Sequence, residues 1–343
     1  MFAQLSPAPR PAPSGFPLPP LRARLSSGTG PEMTATPTME EPPAHLPVLR
    51  DTVVRWLSPR SGGRYLDATF GRGGHAEAIL ESDPGALVLG LDKDPEAAPA
   101  AAALAVRESR FRFLPADFAE LGSALDEVGW DRVDGILLDL GLSSPQLETP
   151  ERGFALRHDG PLDMRYDPGS GETAAELLDR LDEREIADLL FGIGERRSRA
   201  IARRIAARRP LSTTGDLRAA VVAAVGPRRG RIDPATRTFL AVRSAVNREP
   251  QALAAALHEA PARLLEGGAL AVISYHSGED RPVKHAFRRL ASQPEFELGT
   301  RRPIRPGEDE LETNRRSRSA CLRILRRVEA SGAGAAQQEE TRR

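Results

Sequence analysis

The sequence has very few residues of three kinds that would each suggest a particular class of protein. Cys321 is the only cysteine among 343 residues, which excludes an intrachain disulfide and a cysteine-rich metal site and favours a reducing compartment. No stretch approaches the roughly 20 apolar residues that a membrane-spanning helix requires, so no membrane contact is expected. Lys93 and Lys284 are the only lysines among 48 basic residues, a bias that a GC-rich genome explains as well as function does.

Net charge is also missing. The 48 basic residues balance 48 acidic ones, which removes the simplest electrostatic argument for a nucleic-acid partner but leaves local patches open. Hydrophobic residues make up 40% of the chain, enough for a substantial core. The length exceeds that of one small module and suggests two compact units with a tail.

The first 43 residues hold 11 of the 30 prolines and show almost no hydrophobic periodicity, which predicts a disordered tail. They lack the continuous apolar segment of a secretory signal. Arg10, Arg22 and Arg24 precede the first acid of the chain, a weak likeness to an organellar transit peptide. Met33 and Met39 are alternative translation starts.

Short apolar runs alternate with helical patterns after the tail, which is typical of βαβ units and a parallel sheet. The strand signals are 65–68, 86–91, 111–114 and 133–139, and they resume at 269–274 and 320–325. The intervening region has helical patterns and no convincing strand. We therefore predict a Rossmann-like α/β sheet domain made of 44–147 and 241–328, a helical insertion at 148–240 that recognises substrate, and a flexible C-terminal tail at 329–343.

A glycine loop follows the first strand. Gly71, Gly73 and Gly74 let the backbone turn sharply and approach a ligand beyond the carboxyl ends of the strands. Asp92 ends the second strand, where a carboxylate can accept ribose hydroxyl protons. This arrangement predicts a nucleotide-type cofactor.

Two cofactors fit the loop. The spacing Gly71-x-Gly73-x-x-Ala76 satisfies a loose dinucleotide pattern and keeps NAD open. S-adenosylmethionine fits better, because Asp67 at the end of the first strand suits a cationic ligand. Phe118 is a candidate for adenine contact, although an ordinary core phenylalanine explains it equally well.

The fourth strand ends in Asp139, with Ser143 and Pro145 soon after. An exocyclic base amine is a poor nucleophile because its lone pair is delocalised into the ring. Acceptors such as the Asp139 carboxylate and the Ser143 hydroxyl would draw its hydrogens as it attacks a sulfonium methyl. The alternative is that Ser143 and its neighbours only cap the next helix.

Taken together, the motifs resemble the MraW family of ribosomal RNA small-subunit methyltransferases. The likeness spans about residues 45 to 325 and is carried by 45–49, 67–75, 139–147, 152–154, 160–165, 234–239, 246–247, 274–281 and 318–319. It implies a Rossmann-like methyltransferase fold and methyl transfer from S-adenosylmethionine to N4 of one cytidine in 16S ribosomal RNA, in the decoding region. The sequence departs from the family pattern at Asp233, Leu240, Gly278, Pro282 and Arg315.

The resemblance also implies the site residues. Family cofactor contacts fall on Gly73, Gly74, His75, Asp92, Phe118, Asp139 and Gln146. His276, just past the fifth strand, is a candidate catalytic residue on the substrate side, beside Asp139 and Ser143, although such a histidine often only holds a loop. No metal is expected, because the six histidines show no paired spacing.

Local charge restores the case for RNA. Eleven arginines against two acids lie between Glu195 and Arg231, a balance of +9, and residues 301–327 add +5. The alternative is a solvated helix face in an arginine-rich chain. Residues 148–188 carry −7 and are expected to point away from RNA or to pack against an arginine run.

The leading hypothesis is a cytoplasmic methyltransferase acting on 16S ribosomal RNA within the small (30S) subunit, with a homodimer left open. An NAD-dependent oxidoreductase and a non-catalytic RNA-binding assembly factor are the alternatives. A DNA amino-methyltransferase is a near neighbour, and an organellar location applies if the N-terminal segment is a transit peptide.

Overall fold

The computed structural model of the protein describes residues 46–227 and 232–329. The predicted N-terminal tail, nearly all of the predicted C-terminal tail, His45 and three arginines of the first basic run, Arg228, Arg229 and Arg231, lie outside the described residues. Within the described part of the chain, no helix is both long enough and apolar enough to cross a bilayer.

A seven-stranded sheet organises the chain. Its strands are β1 (Arg64–Asp67), β2 (Leu87–Leu91), β3 (Phe111–Leu114), β4 (Val133–Asp139), β5 (Leu264–Ser274), β6 (Phe296–Leu298) and β7 (Cys321–Arg327). The order across the sheet is β3-β2-β1-β4-β5-β7-β6. The first five strands are parallel, whereas β7 is antiparallel to both neighbours. The predicted α/β fold and its six predicted strands are confirmed, and β6 is an additional strand.

Helices cover both faces of the sheet. The helices are α1 (Arg50–Leu57), α2 (Gly74–Ser82), α3 (Ala98–Arg107), α4 (Leu121–Glu127), α5 (Ser144–Glu148), α6 (Ala174–Arg180), α7 (Glu183–Gly192), α8 (Ser198–Ala206), α9 (Thr214–Val225), α10 (Thr236–Val246), α11 (Glu249–Glu259), α12 (Ser277–Leu290) and α13 (Glu308–Thr313). Successive strand residues enter opposite cores: Leu137 packs on one face, and Ile136 and Leu138 pack on the other. Burial on both faces explains why these strands are almost wholly apolar.

Helices α6 to α10 pack around a third apolar core, which includes Leu178, Ile186, Ile201 and Val242. Capping boxes begin α6, α7 and α9, where Thr173, Asp182 and Thr213 each accept a backbone N–H from the first turn. This separate core supports the predicted helical insertion at 148–240, whose status as a domain stays a prediction.

Candidate active site

The carboxyl ends of three neighbouring parallel strands, β2, β1 and β4, lie side by side at one edge of the sheet. β1 ends at Asp67 and β4 at Asp139, and Asp92 follows β2 directly. β1 lies between β2 and β4. From β2 the chain continues outwards to β3 on one side, and from β4 it continues outwards to β5 on the other side. Ligands of open α/β sheets bind in the crevice at such a switch point, and three carboxylates of the sequence-predicted site therefore line it.

The glycine loop has the predicted sharp turn. Gly71 and Gly73 have φ values of 55° and 84°, in the left-handed region that favours glycine. A Cβ on Gly73 would lie 2.6 Å from the Phe70 ring, so a side chain cannot fit there. Gly73 caps α2, and the helix begins at Gly74 and His75 with its amino end at the crevice.

Three buried side-chain atoms beside the loop have no hydrogen-bond partner. They are Asp67 Oδ2 and both ring nitrogens of His75. Leaving a buried polar atom unpaired costs about 1–3 kcal/mol, and such atoms in a folded protein call for an explanation. A cationic, hydrogen-bonding ligand in the crevice would supply the missing partners.

Asp92 ties the end of β2 to the glycine loop. Its Oδ2 accepts the N–H of Gly71 at 2.7 Å, and its Oδ1 accepts the N–H of Asp94 at 2.9 Å. A carboxylate has about four acceptor positions, so two remain for ribose hydroxyls. Phe118 lies in the short 3₁₀ helix Phe118–Glu120 and is partly buried against the core. Its predicted adenine contact remains a prediction.

Asp139 has side chains on both sides. The Tyr275 hydroxyl donates a hydrogen bond to Oδ1 at 2.8 Å. His75 Nε2 lies 3.6 Å from Oδ2, too far for a hydrogen bond. The carboxylate is thus held through one oxygen and keeps acceptor capacity on the other.

Ser143 and Gln146 form a capping box at the start of α5. The Ser143 hydroxyl accepts the N–H of Gln146 at 3.4 Å, and Gln146 Oε1 accepts the N–H of Ser143 at 2.8 Å. The capping alternative for Ser143 is therefore present in the structure, and its catalytic role stays a prediction. Gln146 Nε2 donates to Asp94 at 2.5 Å, which holds the buried Gln146 beside the loop after β2.

His276 caps the amino end of α12. Its Nε2 lies 3.0 Å from Glu279 Oε1, at an angle unsuited to a hydrogen bond. Helix α12 runs unbroken through Gly278 and Pro282, two departures from the family pattern. Proline is costly inside a helix because it lacks an N–H.

Glu249, His276 and Glu279 bring three ligand-type atoms within 4.8 Å of one another. The guanidinium of Arg243 already bonds to Glu249 at 2.7 and 3.1 Å and lies 3.9 Å from Glu279. The charge of both carboxylates is therefore already offset by a cation of the chain itself. The sequence-based expectation of no metal stays a prediction.

Sequence reasoning assigned no role to Arg152, which joins the crevice to the helical region. Arg152 is 7% exposed. Its guanidinium donates to Asp94 at 3.2 and 2.9 Å and to the carbonyl oxygens of Arg165 and Tyr166. The partners are distant in sequence, so no local pattern could reveal them. The bond of Tyr275 to Asp139 is also between residues distant in sequence, although the position of Tyr275 just after β5 was a signal that it lies near the crevice.

The sheet order, the glycine loop and the acids at the strand ends define a class: this is an S-adenosylmethionine-dependent methyltransferase. The chain matches the MraW methylase family over residues 43–328. It is 51% identical over 291 residues to "Ribosomal RNA small subunit methyltransferase H" of Sorangium cellulosum, covering 83% of this chain and 91% of that protein. The protein of that name from Thermomicrobium roseum is 47% identical over 310 residues, covering 84% of this chain and 95% of the relative.

Among solved structures, an rRNA methylase from Streptococcus thermophilus aligns with a TM-score of 0.41 and 10% identity, covering 82% of this chain and 98% of that one. The sequence matches decide the family: the chain belongs to the MraW methylase family. This membership confirms the predicted resemblance and methyltransferase activity, and it decides against an NAD-dependent oxidoreductase.

The described residues fit S-adenosylmethionine. Asp67 and His75 offer unpaired polar atoms, and Asp92 offers free acceptor positions. When bound, this cofactor supplies a methyl group on a positively charged sulfur. The individual contacts of Gly73, Gly74, His75, Asp92, Phe118, Asp139 and Gln146 stay predictions.

The affinity for S-adenosylmethionine is expected to fall in acid. Burial raises the pKa of Asp67 to about 6 and that of Asp92 to about 6. A cation prefers the ionised carboxylates, so binding is strong above this value and is lost as pH falls through it. Calorimetric titration should give about tenfold weaker binding at about pH 5 than at about pH 7.5. Asp67→Asn should reduce this dependence, since only Asp92 then titrates in this range, and equal affinity of the wild type at both pH values would contradict this expectation.

Proposed function

We propose that the protein transfers a methyl group from S-adenosylmethionine to N4 of one cytidine in 16S ribosomal RNA, in the decoding region of the small (30S) ribosomal subunit. The observation that carries the proposal is the Asp139 carboxylate. It lies at the end of β4 beside Asp67 and His75, with one oxygen held and the other open towards the crevice. The names of the matched relatives, small-subunit ribosomal RNA methyltransferases, support the substrate.

Asp139 suits a weakly nucleophilic amine. An N–H of cytosine N4 donated to this carboxylate places electron density back on nitrogen and directs the lone pair away from the acceptor. The N4 lone pair then forms the N–C bond as the methyl–sulfur bond breaks, its electrons remaining on sulfur. N4 finally releases one proton to solvent. His276 and Ser143 are proposed to face the same base.

Arginines on the helical insertion are proposed to hold the RNA backbone. In the described part of the first basic run, the exposed arginines of α8 and its flanks are Arg196, Arg197, Arg199, Arg203, Arg204 and Arg208. The acidic stretch also meets this run, because Glu183 lies 3.7 Å from Arg203. This is one exposed ion pair, and the expectation for the acidic stretch as a whole stays a prediction. Arg218 pairs with Asp233, so not all the predicted positive charge is available to a partner.

An exposed aromatic lies at the same corner. Phe191, in the last turn of α7, is 70% exposed, and a short turn at Gly194 leads into α8. Single-stranded RNA is bound by a backbone-tracking basic groove together with aromatic rings on which bases stack. Phe191 among arginines therefore favours an unpaired stretch of RNA over duplex.

Helix α10 relates this corner to the crevice. Arg237 at its start lies 4.0 Å from Glu195 in the α7–α8 turn. Asn247 at its end accepts a hydrogen bond from Lys93, the neighbour of Asp92. A helix of 11 residues spans about 16 Å, so the corner and the loop after β2 are separated by about the length of five stacked nucleotides.

Phe191→Ala is expected to weaken RNA binding about tenfold, because stacking contributes about 1–3 kcal/mol per base. The measurement is the KM for small subunits, with kcat and S-adenosylmethionine affinity unchanged. Val106→Ala is the matched control, since Val106 is 88% exposed on α3.

The double variant Arg199→Ala with Arg204→Ala should make the negative slope of log affinity against log salt shallower by about 1.4, or about 0.7 per phosphate contact. An unchanged KM for Phe191→Ala together with an unchanged salt slope would contradict this surface.

Methyl incorporation tests the function itself. Small subunits from a bacterial strain lacking its own enzyme of this family should take up labelled methyl from S-adenosylmethionine with the wild-type protein, and duplex DNA should not. An assembly factor without activity would bind the subunits and label nothing. This function places the protein with ribosomes, in the cytoplasm, or in an organelle if the N-terminal segment is a transit peptide; the homodimer stays a prediction.

A further inference from the structure

Tyr275 connects the end of β5 to the carboxylate at the end of β4. Its hydroxyl donates to Asp139 Oδ1 at 2.8 Å. Its backbone N–H donates to Glu279 Oε2 at 2.8 Å, which fixes the residue to the first turn of α12. Burial and the neighbouring Asp139 carboxylate both raise the pKa of Tyr275, so the phenol keeps its proton and remains a donor.

The ring of Tyr275 also supports the loop after Asp139. Gly141 has a φ of 118°, and a Cβ there would lie 3.1 Å from the tyrosine ring. Leu140, between Asp139 and Gly141, donates its N–H to the carbonyl oxygen of Ile273 at 3.0 Å. The ring packs on the loop while the hydroxyl holds the carboxylate, so the two functions of this side chain can be separated by removing the oxygen alone.

We propose that Tyr275 is a positioning residue for methyl transfer, acting through Asp139. By bonding Oδ1, the hydroxyl fixes the carboxylate plane and leaves Oδ2 as the oxygen that receives the amine N–H. It also stabilises the charged carboxylate, which must be ionised to accept that hydrogen. The inference rests on the proposed function, because it assumes that Asp139 receives the amine of the target base.

Thr69 and His75 do not fill this role. Thr69 Oγ1 accepts the backbone N–H of Asp139 at 2.6 Å. This bond positions the backbone at the end of β4 and does not involve the carboxylate. His75 is beyond hydrogen-bond distance, at 3.6 Å. The tyrosine hydroxyl therefore sets the direction of the Asp139 side chain.

The test begins with Tyr275→Phe, which keeps the ring and removes the hydroxyl. Its kcat should fall about tenfold, the loss of one hydrogen bond to a charged group, with S-adenosylmethionine affinity within about threefold. Tyr65→Phe is the matched control: that buried hydroxyl bonds Arg60 and Ser58 at the opposite edge of the sheet. It should lower the thermal midpoint and leave kcat unchanged.

A double-mutant cycle with Asp139→Asn distinguishes positioning from general support of the fold. If Tyr275 acts through the carboxylate, removing its hydroxyl should change kcat less than twofold once Asp139 is an amide. An equal tenfold loss in both backgrounds, or a kcat for Tyr275→Phe matching the wild type, would overturn the proposal. A wild-type protein that transfers no methyl to small subunits would instead overturn the proposed function.

Discussion

Asp139→Asn is expected to lower kcat for methyl transfer at least about 100-fold, the range found when one transition-state hydrogen bond is removed from an active site. The amide keeps the size of the side chain and can still accept the Tyr275 hydroxyl, so the fold should persist. It loses the charge that attracts the amine hydrogen as N4 becomes electron-poor. The affinity for S-adenosylmethionine should fall by about tenfold or less, so the loss lies mainly in the chemical step.

Asp134→Asn is the matched control for this change. Asp134 lies on the same strand, is buried, and accepts hydrogen bonds from Arg60 and from the backbone N–H of Arg64 at the opposite edge of the sheet. Its replacement should lower the free energy of unfolding and leave kcat within about twofold. Equal losses of kcat in the two variants would show that Asp139 acts only through the fold.

The second large effect is expected for Asp92→Ala, which should weaken S-adenosylmethionine binding at least about 100-fold. The change removes the proposed acceptor for ribose hydroxyls and also leaves the N–H of Gly71 without its carboxylate, which loosens the glycine loop. Each lost charge-assisted hydrogen bond contributes about 1.5–3 kcal/mol. Calorimetric titration measures the effect directly.

Asp126→Ala supplies the comparison for Asp92. Asp126 is exposed and pairs with Arg263, which directly precedes β5 and so lies at the end of that strand opposite the crevice. It should bind S-adenosylmethionine as the wild type does. Binding by Asp92→Ala within about threefold of the wild type would remove Asp92 from the cofactor site.

The sequence was most informative where one element carries its own pattern. The parallel strands are apolar because both faces are buried, and the glycine loop and strand-end acids follow from chain order alone. β6 was missed because Phe296–Leu298 is three residues long and partly exposed at the edge of the sheet. Its place depends on pairing with β7, which no local pattern encodes.

The connections within the site were out of reach for the same reason. The bond from Tyr275 to Asp139 joins residues 136 positions apart, and that from Arg152 to Asp94 joins residues 58 apart. Ser143 shows the opposite difficulty. Its sequence context fits both a helix cap and a catalytic acceptor, and only the structure reveals that the hydroxyl is already engaged in the cap.

The most direct test is to locate the new methyl group. Small subunits lacking the mark would be incubated with the protein and S-adenosylmethionine, and the 16S ribosomal RNA digested and analysed by mass spectrometry. We expect one additional methyl on N4 of a single cytidine in the decoding region, formed at least about 100-fold more slowly by Asp139→Asn than by the wild-type protein. A methyl on a ribose, on another base or on ribosomal protein would contradict this expectation.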